Sequence, residues 1–105
     1  MSQNPYDYSA DYLSNVFAEK WVGAILPLLE GEEAWELESI IFDARHGDGA
    51  SYMFALRGLL LLETVRSLPL YNDILIDIQT LIGHPDFQSL NGAKMLHLTY
   101  QSTVG

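Results

Sequence analysis

The chain has 105 residues, of which 49% are hydrophobic, and its 14 acidic and 5 basic side chains give a formal net charge of −9. A chain of this length forms one domain, and its apolar content excludes intrinsic disorder. The lack of cysteine excludes disulfides, thiolate zinc sites and cysteine nucleophiles, while the excess of acid disfavours binding to nucleic acid or to anionic membranes.

The sequence shows no targeting or membrane-spanning pattern. Its N-terminal residues have neither the basic region nor the apolar region of a secretory signal. The most apolar stretch, residues 50–68, contains Arg57, Glu63 and Arg66, which a membrane span would not tolerate. We therefore expect a cytoplasmic protein that does not enter a membrane.

The first predicted helix follows residues 1–8, which lack periodicity and are expected to be a loosely ordered lead-in. Ser9 is the predicted N-cap, and apolar residues then recur at three- and four-residue steps. Pro27 has no amide hydrogen to donate, so we expect a break between Gly23 and Pro27, and Gly31 ends the element. The predicted inner stripe comprises Leu13, Val16, Phe17, Trp21, Ala24 and Leu28.

A second helix is predicted from Glu32 to His46. Acidic residues stand near its start, Arg45 and His46 lie in its last turn, and Gly47 follows, as is typical of a complete helix. Trp35 and Phe42 lie off the inner stripe, so contacts with neighbours on more than one side are expected. That stripe comprises Ala34, Leu37, Ile40, Ile41 and Ala44.

The third predicted helix covers about residues 49–67, after a turn at Asp48 and Gly49. Its apolar side chains point in almost every direction, which is typical of a buried helix, and Pro69 stops it. This helix is therefore expected to be the central element of the fold.

The rest of the chain carries one clear helix and one ambiguous segment. Asn72–Ile82 is predicted to be helical because Gly83 and Pro85 follow it. After the turn at Asn91 and Gly92, alternating apolar and polar residues predict a short C-terminal β segment, with a fifth helix from Pro85 onward as the alternative. The alternating apolar residues are Leu96, Leu98 and Tyr100.

These patterns together predict an all-α fold. Residues 1–105 are expected to form a single helical domain, a compact bundle of four to five helices around the central apolar helix. No linker long enough to divide the chain is present.

The acidic cluster is the main candidate for function, since Glu30 to Glu38 contains five glutamates and no basic residue. Like charges at four-residue spacing cost a helix ~0.2–0.5 kcal/mol per pair, and a surface shaped only for solubility normally mixes signs. On the second helix, Glu32, Glu36 and Asp43 fall on one side with Glu33 beside them. They are interpreted as a face that docks on a basic surface, and the alternative is a solvated face that serves solubility alone.

Trp35 stands among these glutamates and has two interpretations. The simpler one is partial burial against the third helix. The other is an anchor for a basic partner, because interface hot spots favour a desolvated tryptophan.

A metal or general-base site near Asp43, His46 and Asp48 is the least favoured hypothesis. Two carboxylates and one imidazole are too few for a closed structural site, and their spacing matches no metal motif. The same residues suit a helix end, with His46 at the C-terminus and Asp48 capping the next helix. We therefore predict no metal, cofactor or catalytic residue.

The leading hypothesis is a small acidic, non-enzymatic protein-binding module. It would act as a stoichiometric inhibitor or antagonist that docks on a basic surface of a larger protein, such as one that ordinarily holds nucleic acid. A helical adaptor or structural subunit that forms homo-oligomers through its C-terminal segment is the alternative. The predicted partner-binding residues are Glu32, Glu33, Trp35, Glu36 and Asp43.

Overall fold

The computed structural model describes residues 9–47 and 50–104, which contain six α-helices and no strand. The predicted lead-in at residues 1–8 and the predicted turn at Asp48 and Gly49 lie outside these residues. Two 3₁₀ turns, Leu26–Leu28 and Phe87–Ser89, follow α1 and precede α6. The helices are α1 (Ala10–Ile25), α2 (Gly31–Arg45), α3 (Ala50–Leu61), α4 (Glu63–Arg66), α5 (Tyr71–Ile82) and α6 (Ala93–Val104).

The start of α1 and the break before Pro27 lie where the sequence predicts them, whereas Gly31, predicted to end this element, is the first residue of α2. Ser9 is extended, and its hydroxyl oxygen accepts a hydrogen bond from the Tyr12 amide at 3.1 Å, so it is the N-cap. The α-helix ends at Ile25 and passes into the 3₁₀ turn that contains Pro27. The missing amide hydrogen of proline accounts for this break.

The buried face of α1 differs in part from the predicted stripe. Leu13 and Trp21 are buried, but Val16 and Leu28 are exposed by 38% and 49%. Five further residues, three of them small, complete the buried face. Because apolar residues surround most of α1, periodicity alone did not fix which side packs inward. The additional buried residues are Ala10, Ser14, Ala18, Val22 and Ile25.

Helix α2 confirms its prediction within one residue at each end. Leu37, Ile41 and Ala44 form its buried stripe. Gly47 follows with a φ of 107°, a conformation that residues with a side chain rarely adopt, so the helix stops there.

Helix α3 is central, as predicted, and packs against α1, α2 and α6. It is shorter than predicted, because Leu62 is extended and separates Leu61 from the single-turn helix α4. This change of direction brings Val65 into the core, where it is fully buried. Phe54 is 44% exposed, so α3 is not buried on every side. The break and the helical C-terminus bring the count within residues 9–47 and 50–104 to six helices, where four to five were predicted.

The C-terminal segment is a helix, and the predicted β segment is wrong. Ala93 and Leu96 are buried, whereas Leu98 is 57% exposed, which follows the helical period and not strand alternation. A helix also satisfies its own backbone groups, whereas a lone strand needs an edge to pair with. Gly92 permits the turn before α6 with a φ of 84°, and a Cβ there would lie 2.9 Å from Cβ of Met53.

Buried residues from α1 to α6 form one hydrophobic cluster. The fold is compact, with a Cα radius of gyration of 13.1 Å, close to the value of about 13 Å expected for a globular chain of 100 residues. None of the helices in the described ranges is long and apolar enough to cross a bilayer.

Candidate functional site

The side of α2 that faces away from the core carries two exposed aromatic rings. Trp35 lies about 160° around the helix axis from the buried Leu37. Its side chain is 67% exposed, and that of Phe42, two turns further along, is 57% exposed. The expected partial burial of Trp35 is therefore wrong. As a whole, α2 does contact two neighbouring helices, α1 and α3. Both rings are open to solvent.

Carboxylates flank the two rings on both sides. Glu32, Glu36 and Asp43 are exposed along one edge, and Glu38 is exposed along the other. Among the residues that the structure describes, the ion pairs are Lys20–Asp77 and Arg45–Glu19, so none involves these four side chains. We call this surface the α2 outer face; it comprises Glu32, Trp35, Glu36, Glu38, Ser39, Phe42, Asp43 and His46.

Glu33 lies apart from the other predicted site residues. Its side chain is half-buried and accepts a hydrogen bond from the Thr64 hydroxyl of α4 at 3.0 Å. The structure thus brings together four of the five predicted residues and assigns the fifth to the packing of α4 on α2. The sequence could not reveal this contact, because Thr64 is 31 residues away in the chain.

Arg45 does not neutralise the α2 outer face, although it is the basic residue of α2. Its guanidinium donates two hydrogen bonds to the Glu19 carboxylate of α1, at 2.8 Å and 2.6 Å. The hydrogen bonds from Arg45 lower the pKa of Glu19 and raise that of Arg45 above its ordinary value. Burial, together with the negative charge of Glu19, raises the pKa of Tyr52, whose hydroxyl lies 3.4 Å from that carboxylate.

His46 closes the end of α2 and extends its aromatic surface. The imidazole stacks on the Phe42 ring with centroids 4.0 Å apart, and its Nδ1 lies 2.8 Å from the Phe42 carbonyl oxygen. Because a carbonyl only accepts, Nδ1 donates this hydrogen bond and caps the helix. Within residues 9–47 and 50–104, no three metal-binding side chains form a cluster. Asp48, the third member of the hypothetical metal site, lies outside the described residues.

A shallow, open depression lies on the α2 outer face beside Phe42. Glu38, Ser39, Phe42 and Asp43 line it. Sequence reasoning did not select Glu38, Ser39 or Phe42. The available signal was the seven-residue spacing of Trp35 and Phe42, which places two large rings on the same side of a helix.

Asp77 is a further acidic residue whose polar contacts are structural. Asp77 Oδ2 accepts hydrogen bonds from the Trp21 indole at 2.7 Å and from the Lys20 ammonium at 3.0 Å. The Lys20 ammonium also lies 4.5 Å from the centroid of the Trp21 ring. These contacts join α1 to α5 and neutralise Asp77, so we assign this cluster to fold stability.

Comparison of the chain with protein-family models, curated protein sequences and solved structures gave no match. The α2 outer face is therefore the basis of the functional proposal.

Proposed function

We propose that this protein is a small, non-enzymatic binding module that acts as a stoichiometric inhibitor or antagonist. Its α2 outer face docks on a basic surface of a larger protein, such as a surface that ordinarily holds nucleic acid. The observation that carries this proposal is the pair of solvent-exposed rings, Trp35 and Phe42, between carboxylates that have no ion pair in the described structure.

The two kinds of side chain contribute in different ways. Removing the Trp35 and Phe42 rings from water supplies affinity, and tryptophan is enriched among the residues that dominate binding energy. The carboxylates around them select a partner of opposite charge and accelerate the encounter. The net charge of −9 extends this attraction beyond the contact itself.

The shape of the surface supports a macromolecular partner. The aromatic rings project from a convex helix, and the depression beside Phe42 is shallow and open. Small-molecule sites are usually concave and enclose most of the ligand surface. A nucleic acid would be repelled by the same carboxylates that attract a basic protein.

The test begins with a pull-down from the native host at low salt, identification of the bound proteins, and titration of the purified partner. The variant Glu32→Lys/Glu36→Lys/Asp43→Lys reverses the charge of the α2 outer face. The control Glu63→Lys/Asp73→Lys/Asp86→Lys makes the same change in net charge at exposed positions elsewhere. Glu33 is left intact because it contacts Thr64.

We expect the reversal on the α2 outer face to weaken binding of the purified partner at least about tenfold, equivalent to about 1.4 kcal/mol. The control should retain most of the affinity, and the affinity of the unmodified protein should fall as salt rises. Equal effects of the two triple variants would show that net charge, and not this face, controls binding. Unchanged binding by both would remove the proposal.

A further inference from the structure

The outer side chains of α2 follow the spacing of a helix-pairing surface. Four residues succeed one another at steps of four, three and four, which is the spacing of the inward positions in a coiled coil. Three of them are exposed, and Ser39 is half-buried. We call this row the α2 seam; it comprises Trp35, Ser39, Phe42 and His46.

The positions beside the seam carry the charges that set partner choice in coiled coils. Glu36 and Asp43 follow the two aromatic residues of the seam, and Glu38 and Arg45 lie on the other side. Arg45 forms an ion pair with Glu19. The flanking side chains that remain to interact with a partner, Glu36, Glu38 and Asp43, are therefore all negatively charged.

The depression beside Phe42 offers a place for one side chain of a paired helix. In such packing, a side chain of one helix enters a hole between four residues of the other. Glu38, Ser39, Phe42 and Asp43 are four residues around one depression, and the small side chain of Ser39 leaves space beside the Phe42 ring.

From these observations we propose that the partner presents an amphipathic α-helix, which packs lengthwise on the α2 seam with Lys or Arg on both sides of its apolar stripe. This inference rests on the proposed function and specifies the kind of basic surface that is recognised. One apolar side chain of the partner helix occupies the depression at Ser39.

The spacing of the rings favours a helix over an extended strand. Trp35 and Phe42 are about 10.5 Å apart along the axis of α2, which equals two turns and also matches the i, i+7 spacing of a second helix. Side chains on one face of a strand repeat about every 6.8 Å, so they do not match the two rings. The 15 residues of α2 span about 22 Å, enough for a contact of four turns.

A second copy of this chain does not suit the seam. Pairing two α2 helices would place Glu36, Glu38 and Asp43 beside the same residues of the other copy. Like charges across such a contact oppose association. The charge pattern therefore points to a different chain with basic flanks.

The experiment uses two synthetic peptides of the same composition, about three heptads long. One has apolar residues at the inward heptad positions and Lys at the flanking positions; the other has its order scrambled so that no heptad remains. Binding to the full chain is followed at low salt by calorimetry and by tryptophan emission. Trp35 is exposed and Trp21 is buried, so a blue shift on binding reports the environment of Trp35.

The matched protein variants are Ser39→Tyr, which fills the depression, and Ser102→Tyr, which adds the same group on the exposed side of α6. We expect the heptad peptide to bind at least about tenfold more tightly than the scrambled one. Ser39→Tyr should abolish this preference, and Ser102→Tyr should preserve it.

Equal binding of both peptides by the unmodified protein would overturn the helical mode and leave the acidic docking face intact. Binding of neither peptide would also overturn the helical mode. The proposed function would then be judged separately, by the charge-reversal variants against the purified partner.

Discussion

At the scale of single residues, the contacts of Asp77 make a prediction about stability. One oxygen of this carboxylate accepts both the Trp21 indole and the Lys20 ammonium. We expect Asp77→Ala to lower the free energy of unfolding by about 1–3 kcal/mol, because the indole N–H of the buried Trp21 loses its acceptor. Urea denaturation followed by circular dichroism measures this change.

Asp73→Ala is the control for this prediction, since it removes an exposed carboxylate one turn earlier on α5. It should change the free energy of unfolding by no more than about 0.5 kcal/mol. Equal losses in the two variants would contradict the structural role assigned to the bond between Asp77 and Trp21.

The ion pair of Glu19 with Arg45 leads to a prediction about how the free energy of unfolding depends on pH. The hydrogen bonds from Arg45 lower the pKa of Glu19 in the folded protein, so the pair stabilises the fold above the ordinary glutamate pKa of about 4.3. This contribution is lost as the pH falls through the lower, folded-state pKa. The side chains of Arg45 and Glu19 are 52% and 36% exposed, so we expect only about 0.5–1 kcal/mol.

Urea denaturation over a series of pH values tests the Glu19 prediction. The free energy of unfolding of Glu19→Gln should lie below that of the unmodified protein at neutral pH, and the difference should shrink below about pH 4. Glu38→Gln, which removes an exposed carboxylate without an ion pair in the described residues, should change the free energy of unfolding at neutral pH by no more than about 0.5 kcal/mol. A difference that stays constant over the whole pH range would contradict the assignment.

At the scale of helices, α6 offers a direct test of its conformation. Leu96 is fully buried and Leu98 is 57% exposed. Leu96→Ala should therefore lower the free energy of unfolding by about 2–5 kcal/mol, and Leu98→Ala by about 0.5 kcal/mol or less. A strand would place both side chains on one face, so comparable losses measured by urea denaturation would contradict the helix.

Helix boundaries were predicted correctly where a residue caps or interrupts a helix through its own side chain or backbone conformation. Ser9, Pro27 and Gly47 each impose a local constraint, and the ends they predict are present. No residue of this kind marks the break at Leu62, because leucine is a good helix former. The break accompanies the burial of Val65 in the core. Tertiary packing decided that boundary.

The conformation of α6 was misjudged for a related reason. Leu96, Leu98 and Tyr100 satisfy strand alternation, but Ala93, Leu96 and Tyr100 also satisfy the helical period. Short amphipathic segments often fit both patterns. Their packing partners decide between them, and in this fold the partners are α3 and α5.

At the scale of the whole molecule, the candidate site was predictable where a single helix determines it. The 100° rotation per residue places Glu32, Trp35, Glu36 and Asp43 on the outward side of α2. The roles of Glu33 and Arg45 depend on α4 and α1, and no pattern within α2 could reveal them. The negative charge of the α2 outer face follows from the composition of the chain. That its carboxylates form no ion pair within the described residues is a result of folding.

The contacts at the two ends of α2 bear on the thermodynamics of recognition. Near the start of α2, Glu33 accepts a hydrogen bond from Thr64 of α4. At the end of α2, Arg45 donates two hydrogen bonds to Glu19 of α1. A backbone anchored in this way is preorganised, so association immobilises few of its main-chain degrees of freedom. The conformational entropy lost on binding therefore falls mainly on the partner. We expect hydrogen exchange of the α2 amides to change little between the free protein and the complex.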